Sequence, residues 1–298
     1  MNHRPSRLSR IRDTLVATLR DRGIRGTASV IGDYLRWKTR YWPLPWRRSE
    51  AVLRHRANTS LVISMSGAPW MQQVRSAQEE IAASSHDTDL DQYQTQEVYY
   101  WTEIGRWLHE GALRGEWSRS LDVGCGFGTL SVYLSHLTGG EVCSIDMLEN
   151  RFTRALAERS GIDFVCGNIE LDPLPWDGPF DVIVFTEVLE HLNFYPVPTL
   201  VELRKALSPE GRFFLSTPDA AEWGRVTTYY QSLDDMPSPG SAIPLVRSGQ
   251  WGYVDAHVWQ YSRDELQRVV EEAGLRVVRE GLAPGVVHRH FNLELAPS

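Results

Sequence analysis

From Ser118 onward, short apolar runs alternate with stretches whose apolar positions recur every three to four residues. The runs "SLDVG", "EVCSID", "DFVCG", "FDVIVF", "RFFLST", "RVVRE" and "HRHFNLEL" read as strands. The intervening stretches predict helices over about 128–137, 149–160, 197–207 and 263–274. Strands separated by helix-length segments imply an α/β fold with a mostly parallel, doubly wound sheet, because each parallel crossover needs a helix to carry the chain back. Upstream, "QTQEVYYWTEIGRWLHEGAL" places Val98, Trp101, Ile104 and Leu108 on one stripe, which predicts a helix packed on the main domain. "SAQEEIAASSHDTDLD" reads as a polar connector.

The chain's start has a different character. Leu8, Ile11, Leu15 and Leu19 stand at helical spacing with arginines between them, and "DYLRWKTRYWPLPWRR" interleaves aromatics with cations before Pro43 and Pro45 punctuate the end. Asp13 and Asp21 argue against a transit peptide. The expected organisation is a basic amphipathic arm over 1–60, a connector and packing helix over 61–117, and one domain over 118–298 carrying a lid insertion at about 219–257. That insertion is rich in Pro, Gly and aromatics, with Trp223, Tyr229, Tyr230, Trp251 and Tyr253 the candidate pocket residues.

Charge sharpens the division. Residues 1–60 hold 14 Lys+Arg against 4 Asp+Glu, so a net charge of -7 hides a basic arm on a strongly acidic body. The arm suits a membrane surface, a polyanion or a docking face; the acidic body disfavours a nucleic-acid partner. Hydrophobic residues make up 42% of the chain and charged residues 23%, as in a soluble globular protein, and no apolar run reaches the roughly 18 residues a spanning helix needs. Three cysteines without C-x-x-C spacing suggest a reducing, cytoplasmic setting, with the arm free to bring the protein to a membrane surface.

Candidate chemistry lies at the ends of the expected strands. "LDVGCGFGTLS" sets Asp122 ahead of Gly124, Gly126 and Gly128 at a strand–helix junction, where glycines let a ligand lie against the backbone. A dinucleotide fingerprint would put its third glycine where Thr129 stands. Asp146 ends the second strand, and "CGNIELDPLP" offers Asn168 and Ile169 after the third. After the fourth, "FTEVLEHL" gives Glu187, Glu190 and His191; if helical, the three share one face. They could hold a metal, move a proton or finish a strand. A "STPD" turn and "HVWQYSRDEL" follow, the latter with His257 and with Trp259, Tyr261 and Ser262 placed to seat and cap the next helix.

Together these motifs resemble the class I S-adenosylmethionine-dependent methyltransferases over about residues 90–298. The resemblance implies a Rossmann-like, seven-stranded sheet whose last strand runs antiparallel. It implies that Gly124, Cys125, Gly126 and Gly128 lie against the cofactor's methionine portion, that Asp146 with Met147 holds ribose, and that Asn168 and Ile169 flank adenine. Asp122 either meets the methionine ammonium or braces the loop, and Glu187 lines the cofactor pocket.

Within that family the chain looks like the O-methyltransferases of ubiquinone biosynthesis and the small-RNA 2'-O-methyltransferases. In the RNA group two glutamates and two histidines hold a divalent metal, and Glu187, Glu190, His191 and His257 match them, which implies Mg²⁺ or Mn²⁺. Without a metal, Glu187, His191 and His257 become the catalytic candidates and Glu190 serves the helix start. The expected activity is O-methylation of a small-molecule, sugar or lipid-linked acceptor; an RNA 2'-O-methyltransferase and a non-catalytic cofactor-binding partner protein are the alternatives.

Overall fold

The computed structural model describes residues 45–85, 90–115, 117–149, 151–224, 230–241 and 257–298, without side chains for 45–51. Expectations for the arm helix, for docking through residues 1–48, and for Tyr229, Trp251 and Tyr253 therefore lie outside the described residues, apart from the backbone from Pro45 on.

Seven strands form one sheet: β1 (Arg119–Val123), β2 (Glu141–Asp146), β3 (Ile162–Cys166), β4 (Phe180–Thr186), β5 (Leu207–Pro218), β6 (Leu275–Ala283) and β7 (His290–Pro297), in the order β3-β2-β1-β4-β5-β7-β6. β1 to β5 pair in parallel, whereas β7 enters antiparallel between β5 and β6. Strand order reverses between β1 and β4, which opens a crevice at their carboxyl ends. Because β7 runs backwards, its first residue, His290, reaches that same edge opposite Pro218.

Alternation along the strands builds two cores. Val182 and Val184 of β4 face one side, and Ile183 and Phe185 face the other. The first side is covered by α2 (Pro69–Ala82), α3 (Leu90–Tyr100), α4 (Thr102–Ala112), α5 (Thr129–Thr138) and α6 (Arg154–Arg159). The second is covered by α7 (Val197–Ala206) and α9 (Arg263–Glu272). Ser262 caps α9 in a capping box with Glu265, and Trp259 and Tyr261 are fully buried before it, as expected.

Several expectations need correction. Part of the supposed connector is helical: α2 runs to Ala82, because Trp70, Val74, Ala77 and Ile81 form a buried stripe. The helix expected over 94–113 is two, α3 and α4, broken at Trp101 (φ -128°, ψ 32°), though the stripe of Val98, Trp101, Ile104 and Leu108 is buried throughout. Within the expected 149–160 helix, α6 begins only after Thr153, whose side chain accepts from the Leu156 amide. β5 reaches back to Leu207 through a register shift against β4. A helix α1 (Pro45–Ser64) precedes these elements, where Asn58 donates to the Pro284 and Gly285 carbonyls. The insertion after β5 contains a short helix α8 (Ala220–Trp223) and a 3₁₀ turn at Leu233–Asp235 with Leu233 buried. None of the described helices is long and apolar enough to cross a membrane.

Candidate active site

The carboxyl ends of β1, β2 and β4 meet the start of β7 around a cavity of about 410 Å³, a size suited to a small-molecule site. Its floor is the turn after β1. Gly124, Gly126 and Gly128 all adopt left-handed φ, at 72°, 57° and 83°, which side-chain-bearing residues rarely do. A Cβ on Gly124 would lie 2.3 Å from Val188, and one on Gly128 would lie 2.3 Å from Phe152. A Cβ on Gly126 meets only the Tyr93 hydroxyl, at 3.6 Å. Gly124 and Gly126 both line the cavity, and at Gly126 there is open space above the backbone.

Asp146 closes β2 and lines the same space. Its carboxylate accepts the Gly126 and Leu148 amides, each at 2.8 Å, and burial nevertheless holds its pKa above the usual value. Met147, Asn168, Ile169 and Glu170 continue the wall, with the Asn168 Oδ1 accepting the Glu170 amide. Asp122, Cys125 and Gly128 do not line it. Asp122 is buried, accepts a 2.6 Å bond from Ser131 Oγ and has its pKa pushed up to about 7 by burial, so it braces the turn from below.

The "FTEVLEHL" segment departs from the expected helix face. Glu187 has a left-handed φ of 56° and stands outside regular structure; only Leu189–His191 turn, as a 3₁₀ helix. The kink sends the two glutamates to different partners. Glu187 Oε1 accepts Ser216 Oγ at 2.7 Å, and its Oε2 lies 2.8 Å from His290 Nδ1. Glu190 is fully buried and accepts Thr217 Oγ1 at 2.9 Å, while its carbonyl takes the Val258 amide at 2.6 Å. That last bond draws His257 beside His191, with ring centroids 4.8 Å apart.

Three potential ligand atoms therefore gather, from Glu190, His191 and His257, within 4.8 Å of one another. Carboxylate and imidazole suit a divalent ion by chemistry. The expected four-residue set, however, is not assembled, because Glu187 points to Ser216 and His290. Burial, reinforced by the Glu187 charge, also holds the Glu190 pKa well above the carboxylate range.

Tyr93 and Tyr100 of α3, Arg151, Trp223 and His290 also line the cavity. Trp223 was expected there; Tyr230 is instead packed against the second core. The Trp223 ring is surrounded by His257, His288 and His290 at centroid distances of 5.6, 5.5 and 5.7 Å. Motif reading missed His290, yet an antiparallel last strand starting in "HRH" already implied that a histidine reaches the carboxyl edge. No comparable signal marked the two tyrosines, whose helix was read only as packing.

Residues 92–280 match the sequence family described as a methyltransferase domain, which is more than half the chain. The chain belongs to the class I S-adenosylmethionine-dependent methyltransferases. Over 103 residues this methyltransferase is 38% identical to the ubiquinone biosynthesis O-methyltransferase of Nitrosococcus oceani, covering 33% of this chain and 43% of that one. Over 113 residues it is 36% identical to the enzyme of the same name from Idiomarina loihiensis, covering 37% and 45%. The aligned stretch thus spans less than half of either relative. Its fold is similar to that of the Burkholderia thailandensis 1,6-didemethyltoxoflavin-N1-methyltransferase, at a TM-score of 0.51 with 19% identity over 74% of this chain and 87% of that one.

Proposed function

We propose that the protein transfers a methyl group from S-adenosylmethionine to a hydroxyl oxygen of a small, partly aromatic acceptor. The observation that carries this reading is one continuous cavity with two differently furnished ends. One end has a glycine floor at Gly126, a carboxylate at Asp146 and an amide at Asn168, which suit an amino-acid moiety, ribose hydroxyls and an adenine edge. The other is walled by Tyr100, Trp223, His257 and His290, which suit a flat acceptor carrying an ionisable hydroxyl. Relatives named for O-methylation in ubiquinone biosynthesis support an oxygen acceptor. A lipid-linked acceptor accords with the basic, aromatic arm, whose composition suits an anionic surface. Free thiols at Cys125, Cys143 and Cys166 support a reducing, cytoplasmic compartment.

When bound, the cofactor supplies an electrophilic methyl on a sulfonium, so that the C–S pair returns to a neutral thioether as the O–CH₃ bond forms. The protein's part is alignment, exclusion of water and removal of the acceptor proton. Asp146, with one loop amide on each carboxylate oxygen, keeps lone pairs free to accept from ribose hydroxyls. Tyr93, set against Phe127 at 4.9 Å, roofs the glycine turn.

Titration with S-adenosylhomocysteine tests the cofactor end directly. Asp146→Asn is expected to weaken binding by about 10- to 100-fold, the worth of hydrogen bonds to a charged group. Unchanged affinity in that variant, or no binding by the unaltered protein, would overturn the reading.

A further inference from the structure

We propose that His290 takes the proton from the acceptor hydroxyl, with Glu187 as the residue that positions it. The inference rests on the methyltransferase reading above and adds a residue outside the family-like motifs. His290 is 1% exposed, lines the cavity and opens β7 at the edge where the sheet binds ligands. Its Nδ1 lies 2.8 Å from Glu187 Oε2, with the ring N–H turned off the line between them. Such pairs are often loose in empty sites and tighten when substrate binds. Its Nε2 has no hydrogen-bond partner among the described residues. A buried ring nitrogen left unmet and placed against a cavity is a position for a ligand's hydroxyl.

The surroundings leave the ring little choice of orientation. Tyr100 packs on it at 4.7 Å and 34°, and Trp223 meets it edge-on at 5.7 Å and 90°. Glu187 is itself held by Ser216 Oγ and by the bond from its own amide to the Ser216 carbonyl at 3.0 Å. Its left-handed φ of 56° is the kind of backbone outlier that persists where the surroundings over-determine it. Once the Nδ1 proton turns onto this carboxylate, Nε2 is the ring's remaining acceptor, in the arrangement by which a carboxylate orients an imidazole base. The acceptor O–H bond then breaks toward Nε2, its electron pair stays on oxygen to form the new O–CH₃ bond, and the proton leaves from the imidazolium to solvent.

The two histidines of the local motif serve this step less well. The His257 ring is packed between His191 and Trp223, at centroid distances of 4.8 and 5.6 Å. His191 is more exposed, at 37%, and is engaged with the His257 ring and, at 4.0 Å, with Glu190 Oε1.

Nitrogen-15 histidine spectra of the full chain, with His290 assigned through its backbone, read the arrangement without any acceptor. We expect the Nδ1–H tautomer at neutral pH and loss of that preference in Glu187→Gln; an Nε2–H tautomer overturns the proposal. Alongside, His290→Gln is expected to bind S-adenosylhomocysteine within about twofold of the unaltered protein, which also reports its folding, yet to lower label transfer from deuteromethyl cofactor into a small-molecule cell extract by about 10²- to 10⁴-fold. Undiminished transfer overturns it. Failure of the unaltered protein to bind S-adenosylhomocysteine would instead remove the methyltransferase reading and leave the tautomer to decide the pair.

Discussion

Glu187 and Glu190 stand three positions apart and both line the cavity, yet the positive φ at Glu187 gives them different partners: Glu187 meets Ser216 and His290, whereas Glu190 is fully buried beside Thr217. Residue types and spacing revealed the candidates but not this division, because spacing predicts shared faces only if the segment is helical. The "STPD" turn carried more information than its use as a motif suggested: Ser216 holds Glu187, Thr217 holds Glu190, and Asp219 caps α8 and pairs with Arg289. Another buried acid lies under the glycine turn. Glu97 Oε1 accepts from Gln78 and Thr129, and burial pushes its pKa up to about 7. Its folded-state pKa exceeds the unfolded value of about 4.3, so the folded state holds an extra proton between the two. The associated stability is complete below about pH 4 and is lost as pH rises through about 7. Glu97→Gln keeps the accepting oxygen without the charge. Thermal melts should show it matching the unaltered protein near pH 4 and exceeding it at pH 8 by on the order of 1–3 kcal/mol.

Elements were most legible where a single period was unmixed. All seven strands appeared as apolar runs, and α5, α7 and α9 lie close to their expected bounds, since buried strands and amphipathic helices carry their burial in their pattern. α2 was obscured because its apolar positions are separated by Gln, Arg, Ser and Glu, which outnumber them on the exposed face. The packing is nonetheless core-like: Val74, Ala77 and Ile81 are fully buried, and α2 lies against α5, the helix that follows the cofactor turn. Ile81→Ala is accordingly expected to destabilise the fold by about 2–4 kcal/mol in denaturant unfolding. Leu113→Ala, at a side chain 75% exposed, should change stability by less than about 0.5 kcal/mol. Equal, small effects would mean that α2 is the connector its composition suggests.

At the scale of the whole molecule, the strand order explains why residues spread from Tyr93 to His290 share one site. Parallel β1, β2 and β4 end at the edge where antiparallel β7 begins, and α3 closes over the glycine turn from the chain's earlier part. The sheet, and the meeting of the glycine turn with Asp146 and Asn168 at one edge, could be foreseen because their signals are local and ordered along the chain. The cluster of Tyr100, Trp223 and His290 could not, since it depends on strand direction and on tertiary approach. The acceptor's chemistry is the centre of the account. Its most direct test supplies the protein with deuteromethyl S-adenosylmethionine and a total cell extract, then follows the label by mass spectrometry into separated small-molecule, lipid and RNA fractions. The expected product is a small or lipid-linked compound carrying one trideuteromethyl group in place of a hydroxyl hydrogen of its precursor. Label confined to RNA, or on nitrogen or carbon of the product, would contradict it.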